Sequence, residues 1–375
     1  MIGAGTEIVG AATIKNCLIG RGCSLHSGEY LDSVLLDRCS TVGWARVRGN
    51  CAWEEGTQSA HTVDTKTTVL GYKTTLGSLI NFCNVLMLGG TSPRLEVGAE
   101  VGSGVINFNF LPIGPTVGAL IKPSTVIGSI ESPFLSCGDA PVRYDFIGGH
   151  SSIIAPVVLG LNCMVAAKTR VNPGIYGDDV LIGGGNLEST VVVDVSKVRV
   201  LKDIRPKFKI LVHQLATAVT FRRWCEFRVE WAESCELDPF AVKLIKAFAE
   251  KVDRFIDSLE DYGDSISKYL LACDEHSRPE FLKINQDMVR LWTEELKVKI
   301  RSVLLDYAGY AEGTDSLKAS LLAIAKTIPT AELQFYEVLE RLPFTSPEVV
   351  TARKYFARLT ENVIRLAPSE DRGPA

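Results

Sequence analysis

Apolar residues recur every five or six positions from the amino terminus, at Ile2, Ile8, Ile14, Ile19, Leu25, Leu31, Leu36, Val42 and Val47. Glycine often stands beside them, as in Ile2-Gly3, Val9-Gly10, Ile19-Gly20 and Val42-Gly43. The same beat returns at Val97-Gly98, Val101-Gly102, Ile127-Gly128, Ile147-Gly148, Leu159-Gly160 and Ile182-Gly183. An amphipathic helix would space its apolar residues by three and four, and a half-buried strand by two. A period near six belongs to a hexapeptide β-helix, in which each short strand turns one apolar side chain into a prism. The adjacent glycine takes the tight corner without a Cβ to clash.

Composition marks where the solenoid stops. Of 32 glycines, 28 lie in residues 1–200, whereas Lys, Arg, Asp and Glu total 30 there and 54 in residues 201–375. From residue 201 the spacing changes to three and four, first in Phe208, Leu211, Val212, Leu215 and Val219. Further amphipathic stretches run from Pro239 to Leu259, Pro279 to Leu305, Ser316 to Ile328, Thr330 to Leu342 and Ser346 to Ile364. Asp238-Pro239 and Ser346-Pro347 supply helix-start chemistry. The expectation is a β-solenoid over residues 1–200, an all-helical domain over 201–368 and a frayed tail over 369–375. A solenoid end exposes unpaired backbone, so the helices are expected to cap it or to build an oligomer. The period fails at 84–96 and 129–145, which are expected to project as loops beside a functional edge.

The net charge of −4 gives no global attraction for nucleic acid or an anionic membrane. No apolar run approaches the ~20 residues of a membrane span, and the first residues lack a basic, then apolar leader pattern. Ten cysteines without a C-x-x-C pair read as small buried hydrophobes of a cytoplasmic protein, with no metal site. Nine basic residues between Lys197 and Arg228 could hold a phosphate; ion pairing with nearby acidic runs explains them as well. Trp224, Phe227 and Trp231 at helical spacing read as core.

Three segments carry a family resemblance: Val101-Gly102-Ser103-Gly104-Val105-Ile106-Asn107-Phe108-Asn109-Phe110, then Phe146-Ile147-Gly148-Gly149-His150-Ser151-Ser152-Ile153-Ile154-Ala155-Pro156-Val157, then Met164-Val165-Ala166-Ala167-Lys168-Thr169. In order and spacing they resemble the left-handed β-helix of the bifunctional N-acetylglucosamine-1-phosphate uridyltransferase/glucosamine-1-phosphate acetyltransferase family, over roughly residues 75–175. The resemblance implies a homotrimer of hexapeptide-repeat acyltransferase type, binding acetyl-coenzyme A and an amino-sugar phosphate or sugar nucleotide. Asn109 falls on the family's Asn and Phe110 on its Tyr, where sugar and acyl groups meet; Asn109 is an expected catalytic residue and Phe110 belongs to the expected cofactor set. Gly149 falls on a cofactor-contacting Ser, and Ala166 and Ala167 on small residues beside the pantetheine; Gly148 and Lys168 complete that expected cofactor set. Asn81, Asn84 and Asn107 are the expected acceptor-binding residues.

The departure that matters is the base. Transfer to an amine needs a proton acceptor. The family uses a His in a K-H-L-x-Y segment, and here Ser78 stands in its place within Leu76-Gly77-Ser78-Leu79-Ile80-Asn81-Phe82. His150 on the matching coil is the remaining candidate, alongside a purely structural role for it. The family's nucleotidyl-transfer loop is absent, since Ile2-Gly3-Ala4-Gly5-Thr6 has no Arg-Met after it and reads as a solenoid corner. Two readings stay open: an acetyl-coenzyme A-dependent acyltransferase of amino-sugar metabolism and cell-envelope synthesis, or a non-catalytic sugar-nucleotide-binding scaffold on the same solenoid.

Overall fold

The computed structural model describes residues 1–90, 98–112, 120–183, 203–272, 279–305, 310–329 and 333–368. Glu7, Ser24, Ser40, Gln58, Thr75, Glu100, Phe146, Met164 and Leu181 follow one another in parallel register, one per coil. The first half is therefore a parallel β-solenoid of about nine turns, as the six-residue beat requires. Call this register its second face. Behind it Leu76, Val101, Ile147 and Val165 stack into a dry interior, all buried. The third face alternates, with Ala45 and Val47 buried and Arg46 and Arg48 outward, the half-buried pattern of period two.

The first face differs, and that difference organises the molecule. Val34–Leu35, Ala52–Trp53, Thr125–Ile127 and Val157–Leu159 are buried on both sides. A strand with two apolar faces needs two layers to cover it. The helical half supplies the outer one: α1 (Arg205–Ser234), α2 (Pro239–Ala272), α3 (Pro279–Leu291), α4 (Lys297–Leu305), α5 (Tyr310–Ala325), α6 (Phe335–Leu339) and α7 (Pro347–Ile364). Outward Val34, Ala52, Val69, Leu86 and Val126 join Phe208, Leu211, Trp224 and Phe248 in one apolar cluster. The prism interior is a separate cluster. The helices thus lie along a face and share its core, where the sequence suggested an end cap. Gln214 of α1 fixes the register, its amide donating to the carbonyls of Ser124 (2.6 Å) and Val157 (3.1 Å).

Trp224, Phe227 and Trp231 are core. Of the basic cluster, Arg222, Arg223 and Arg228 are held in ion pairs with Asp253, Glu226, Glu54 and Glu55; residues 197–202 lie outside the described residues. The helix expected from Thr330 is reduced to Phe335–Leu339 among the described residues, and α2 runs on to Ala272, past the expected Leu259. Asn84 to Met87 belong to the strand Asn81–Met87, so the first interruption starts later, and 91–97 lie outside the described residues. The second is present, with a 3-10 turn at Ser132–Ser136. A third, not anticipated, pairs Leu111–Pro112 antiparallel with Leu120–Ile121. The nine described cysteines are free, and seven of them are buried. No helix among the described residues is long and apolar enough to cross a membrane.

Asp145 stands in the interior column and is fully buried; one carboxylate oxygen accepts from the Cys163 amide at 2.9 Å and the other has no partner. Burial pushes its carboxyl well above the usual range, so the native state holds a proton that the unfolded chain releases near pH 4. The folded pKa being the higher, this group's contribution is fully present at low pH and falls as pH rises. Asp145→Asn, a neutral mimic, is expected to match the wild type near pH 4 and to exceed it in urea midpoint by pH 8. A pH-independent difference would show that Asp145 is not protonated in the fold.

Candidate functional site

Where the third face turns into the first, the corner residue repeatedly adopts positive φ: Asn16, Asp32, Asn50, Thr67 and Asn84. Asn and Asp tolerate this left-handed region because their short polar side chains bond locally. The expected acceptor residue Asn84 therefore has a backbone reason to be there. Beside it the solenoid and α2 enclose an open cleft of about 520 Å³. Arg48, Lys66, Cys83, Asn84, Asn109, Phe110 and Lys122 line one side, and Ser258, Asp261, Tyr262 and Ser265 the other. The four helical residues sit at i, i+3, i+4 and i+7, one stripe of α2.

The cleft is electropositive. Arg48 donates to Asp64 at 3.1 Å while its Nε is buried without a partner. Lys66 and Lys122 have no ion pair among the described residues, and Asp261 is the lone carboxylate among the described lining residues. Asn84 and Asn109 are 8% and 5% exposed, while Phe110 is half exposed. The Tyr262 hydroxyl is buried with no hydrogen-bond partner, and burial pushes its phenol up, leaving a neutral donor. Burial also raises the Cys83 thiol, which disfavours the thiolate a nucleophile would need.

The expected site residues divide between two corners. Asn84, Asn109 and Phe110 meet in the cleft. Ser78, Gly148, Gly149, His150, Ala166, Ala167 and Lys168 stack where the second face turns into the third. There the Ser78 amide donates to Ser103 Oγ (3.2 Å), the His150 amide to the Ser103 carbonyl (2.8 Å) and the Lys168 amide to the Gly149 carbonyl (2.9 Å). His150 and Lys168 hold the positive-φ position also held by Leu79 and Gly104. Gly148 is required by stacking, because a Cβ there would lie 2.4 Å from the Ala167 nitrogen. The third face separates the corners by the strand Ser152–Ile154, about 10 Å at ~3.3 Å per residue. Asn81 lies on that face, exposed, its side-chain oxygen accepting from Cys83 Sγ at 3.7 Å. Asn107 points inward and is already satisfied, donating to the Cys83 carbonyl (2.8 Å) and accepting from Thr125 (2.7 Å).

Sequence reasoning missed Arg48, Lys66, Lys122 and the α2 stripe. Arg48 and Lys66 were findable, since they pair in register on adjacent coils at outward positions of one column. Lys122 directly follows the unanticipated hairpin that ends at Ile121, and no feature of α2 alone says which wall it meets.

No protein-family model matches the chain. It is similar to the bifunctional protein GlmU of Pseudoalteromonas atlantica (strain T6c / ATCC BAA-1087), 26% identical over 182 residues, covering 48% of this chain and 34% of that protein. It is also similar to the bifunctional protein GlmU of Streptococcus equi subsp. zooepidemicus (strain ATCC 35246 / C74-63), 28% identical over 184 residues, covering 48% and 33%. The chain thus spans about a third of the length of these curated relatives. Among solved structures, the polySia specific acetyltransferase NeuO aligns with a TM-score of 0.28 and 13% identity over 53% of this chain and 93% of that one. With nine parallel coils and this sequence similarity, the chain is a hexapeptide-repeat solenoid protein similar to the bifunctional GlmU proteins.

Proposed function

We propose that the protein is an acyltransferase that moves an acetyl group from acetyl-coenzyme A to the amine of a phosphorylated amino sugar. The observation that carries this reading is the cleft, where Asn109 and Phe110 sit among three cations with one opposing carboxylate. Such a site suits a ligand bearing phosphate at the solenoid wall, because Lys66 and Lys122, unlike Arg48 with its Asp64 partner, have no ion pair among the described residues, and unpaired cations attract anions most strongly. The second corner fits the extended arm of a thioester. Ser103, Gly149 and Ala167 form a shelf without a side chain longer than hydroxymethyl, and all three reach solvent. A homotrimer in which the shelf of one prism meets the cleft of the next would unite the two corners. The helices already cover the first face, so such a trimer would use the other two.

The test is release of free thiol from acetyl-coenzyme A in the presence of glucosamine 1-phosphate, with thermal stabilisation by each ligand alone. Stabilisation by both and thiol release are expected; no response to any coenzyme A thioester overturns the reading. A second reading, a non-catalytic binder of sugar phosphates, is favoured by Ser78, whose hydroxyl cannot serve as a base at neutral pH without one beside it. It predicts stabilisation by the sugar phosphate with no thiol release.

A further inference from the structure

The residues that resemble the family's active site bring no proton acceptor to the cleft. Ser78 and His150 stack on the far corner, and the histidines are absent from the described lining residues. Helix α2, which belongs to the half of the chain outside the resemblance, does bring polar groups there. We propose that α2 completes the acceptor site within one chain: Asp261 takes the proton of the attacking amine, and the Tyr262 hydroxyl donates to the bound acceptor. This rests on the acyl-transfer reading.

Three observations carry it. Asp261 is the carboxylate facing Arg48, Lys66 and Lys122 across the cleft, and it is exposed, so a proton it accepts can pass on to solvent. Tyr262 is 1% exposed and its hydroxyl has no partner. A buried unpaired hydroxyl is costly, and Tyr262 is among the residues that line the cavity. The stripe is also held rigidly. Gly263 lets Trp292 pack so closely that a Cβ would lie 2.4 Å from Cζ2, and Asp264 accepts from Trp292 Nε1 at 2.9 Å and from Lys297 at 2.7 Å. Trp292 opens the π-turn Trp292–Leu296 between α3 and α4, a feature frequent at functional sites.

The step balances. The amine nitrogen attacks the thioester carbonyl carbon, the C–N bond forms, and the C–S bond breaks as the thiolate leaves. The N–H proton moves to an Asp261 oxygen and from there to the thiolate or to solvent.

The experiment separates this proposal from the reading beneath it. Calorimetry with glucosamine 1-phosphate and with inorganic phosphate is run on the full chain and on Asp261→Asn and Tyr262→Phe. Asp261→Asn is expected to bind glucosamine 1-phosphate about tenfold more weakly, the loss of one good polar contact, and to bind phosphate unchanged. It is expected to lower kcat by about 100-fold or more, the usual worth of a positioned base. Tyr262→Phe is expected to raise KM for the sugar phosphate about tenfold, with kcat falling less. Wild-type kcat and affinity in Asp261→Asn overturn the proposal. If the wild type binds glucosamine 1-phosphate but releases no thiol, acyl transfer fails and the proton-acceptor role falls with it. Selective loss of the amino sugar in Asp261→Asn would then uphold only the recognition by α2.

Discussion

Replacing Arg228 with alanine is expected to destabilise the protein by about 3–5 kcal/mol, the range for breaking a buried ion pair from one side. Arg228 of α1 is wholly buried and donates to Glu54 and Glu55 on a solenoid corner, each at 2.5 Å. Glu54 also accepts from the Tyr72 amide (2.8 Å) and the Tyr336 hydroxyl (3.1 Å), while Tyr72 and Tyr336 stack with centroids 3.9 Å apart. The guanidinium lies over the Phe335 and Tyr336 rings, 5.1 and 5.0 Å from their centroids. This one cluster ties the solenoid to two helices. Without the guanidinium, two carboxylates are left buried side by side. Burial pushes Glu54 up to about 7 even with Arg228 beside it; the variant loses that lowering influence. Glu54 must then hold a proton that the unfolded chain releases above pH ~4.5. The folded pKa being raised, stability falls as pH rises, so the penalty is expected to be smaller near pH 5 than near pH 8 in urea titrations. Should Arg228→Ala fail to fold, Arg228→Met with Glu54→Gln and Glu55→Gln removes every charge and is expected to recover most of the loss. An Arg228→Ala midpoint equal to wild type at pH 8 would refute the interpretation.

That cluster shows what could be read from sequence and what could not. The solenoid was legible because its signal is local: each coil repeats the same six-residue requirement, and Ile147 or Val165 announces its inward position without reference to a partner. Helix α1 was legible through its spacing, and α2 and α7 through spacing and their Pro-marked starts. The docking of one half on the other was not, because Val34-Leu35 and Ala52-Trp53 look like ordinary apolar pairs until the second layer is known, and Glu54-Glu55 looks like a solvated corner. The site divided in the same way. Asn109 and Phe110 came from resemblance and do reach the cleft. Asn107, three residues from Gly104 in the same motif, turns inward because strand side chains alternate. The opposite wall of the cleft comes from residues about 150 positions further on, and no period or motif links Phe110 to Tyr262.

Lys66→Ala combined with Lys122→Ala distinguishes a binding cleft from a solvated face. A charge-assisted hydrogen bond is worth roughly 1.5–3 kcal/mol, and about 1.4 kcal/mol is a factor of ten. If both lysines reach the phosphate, the double variant is expected to bind glucosamine 1-phosphate at least about 100-fold more weakly, and its dependence on salt is expected to shrink because fewer screened charges remain. Folding stability should move the other way or hardly at all. Neither lysine has an ion pair among the described residues, and removing them leaves Arg48 with less like charge nearby. Arg48 is unsuited to this test, since it pairs with Asp64, whose Oδ1 is already buried and unpartnered; removing it would confound binding with stability. Unchanged affinity in the double variant would mean that the lysines are surface charge and that phosphate recognition lies elsewhere. Affinity lost together with several degrees of Tm would mean that the lysines hold the corner together. Lost affinity with an unchanged or raised Tm is the result that only a ligand site predicts, because repulsion among unpaired cations persists in a fold when something bound there offsets it.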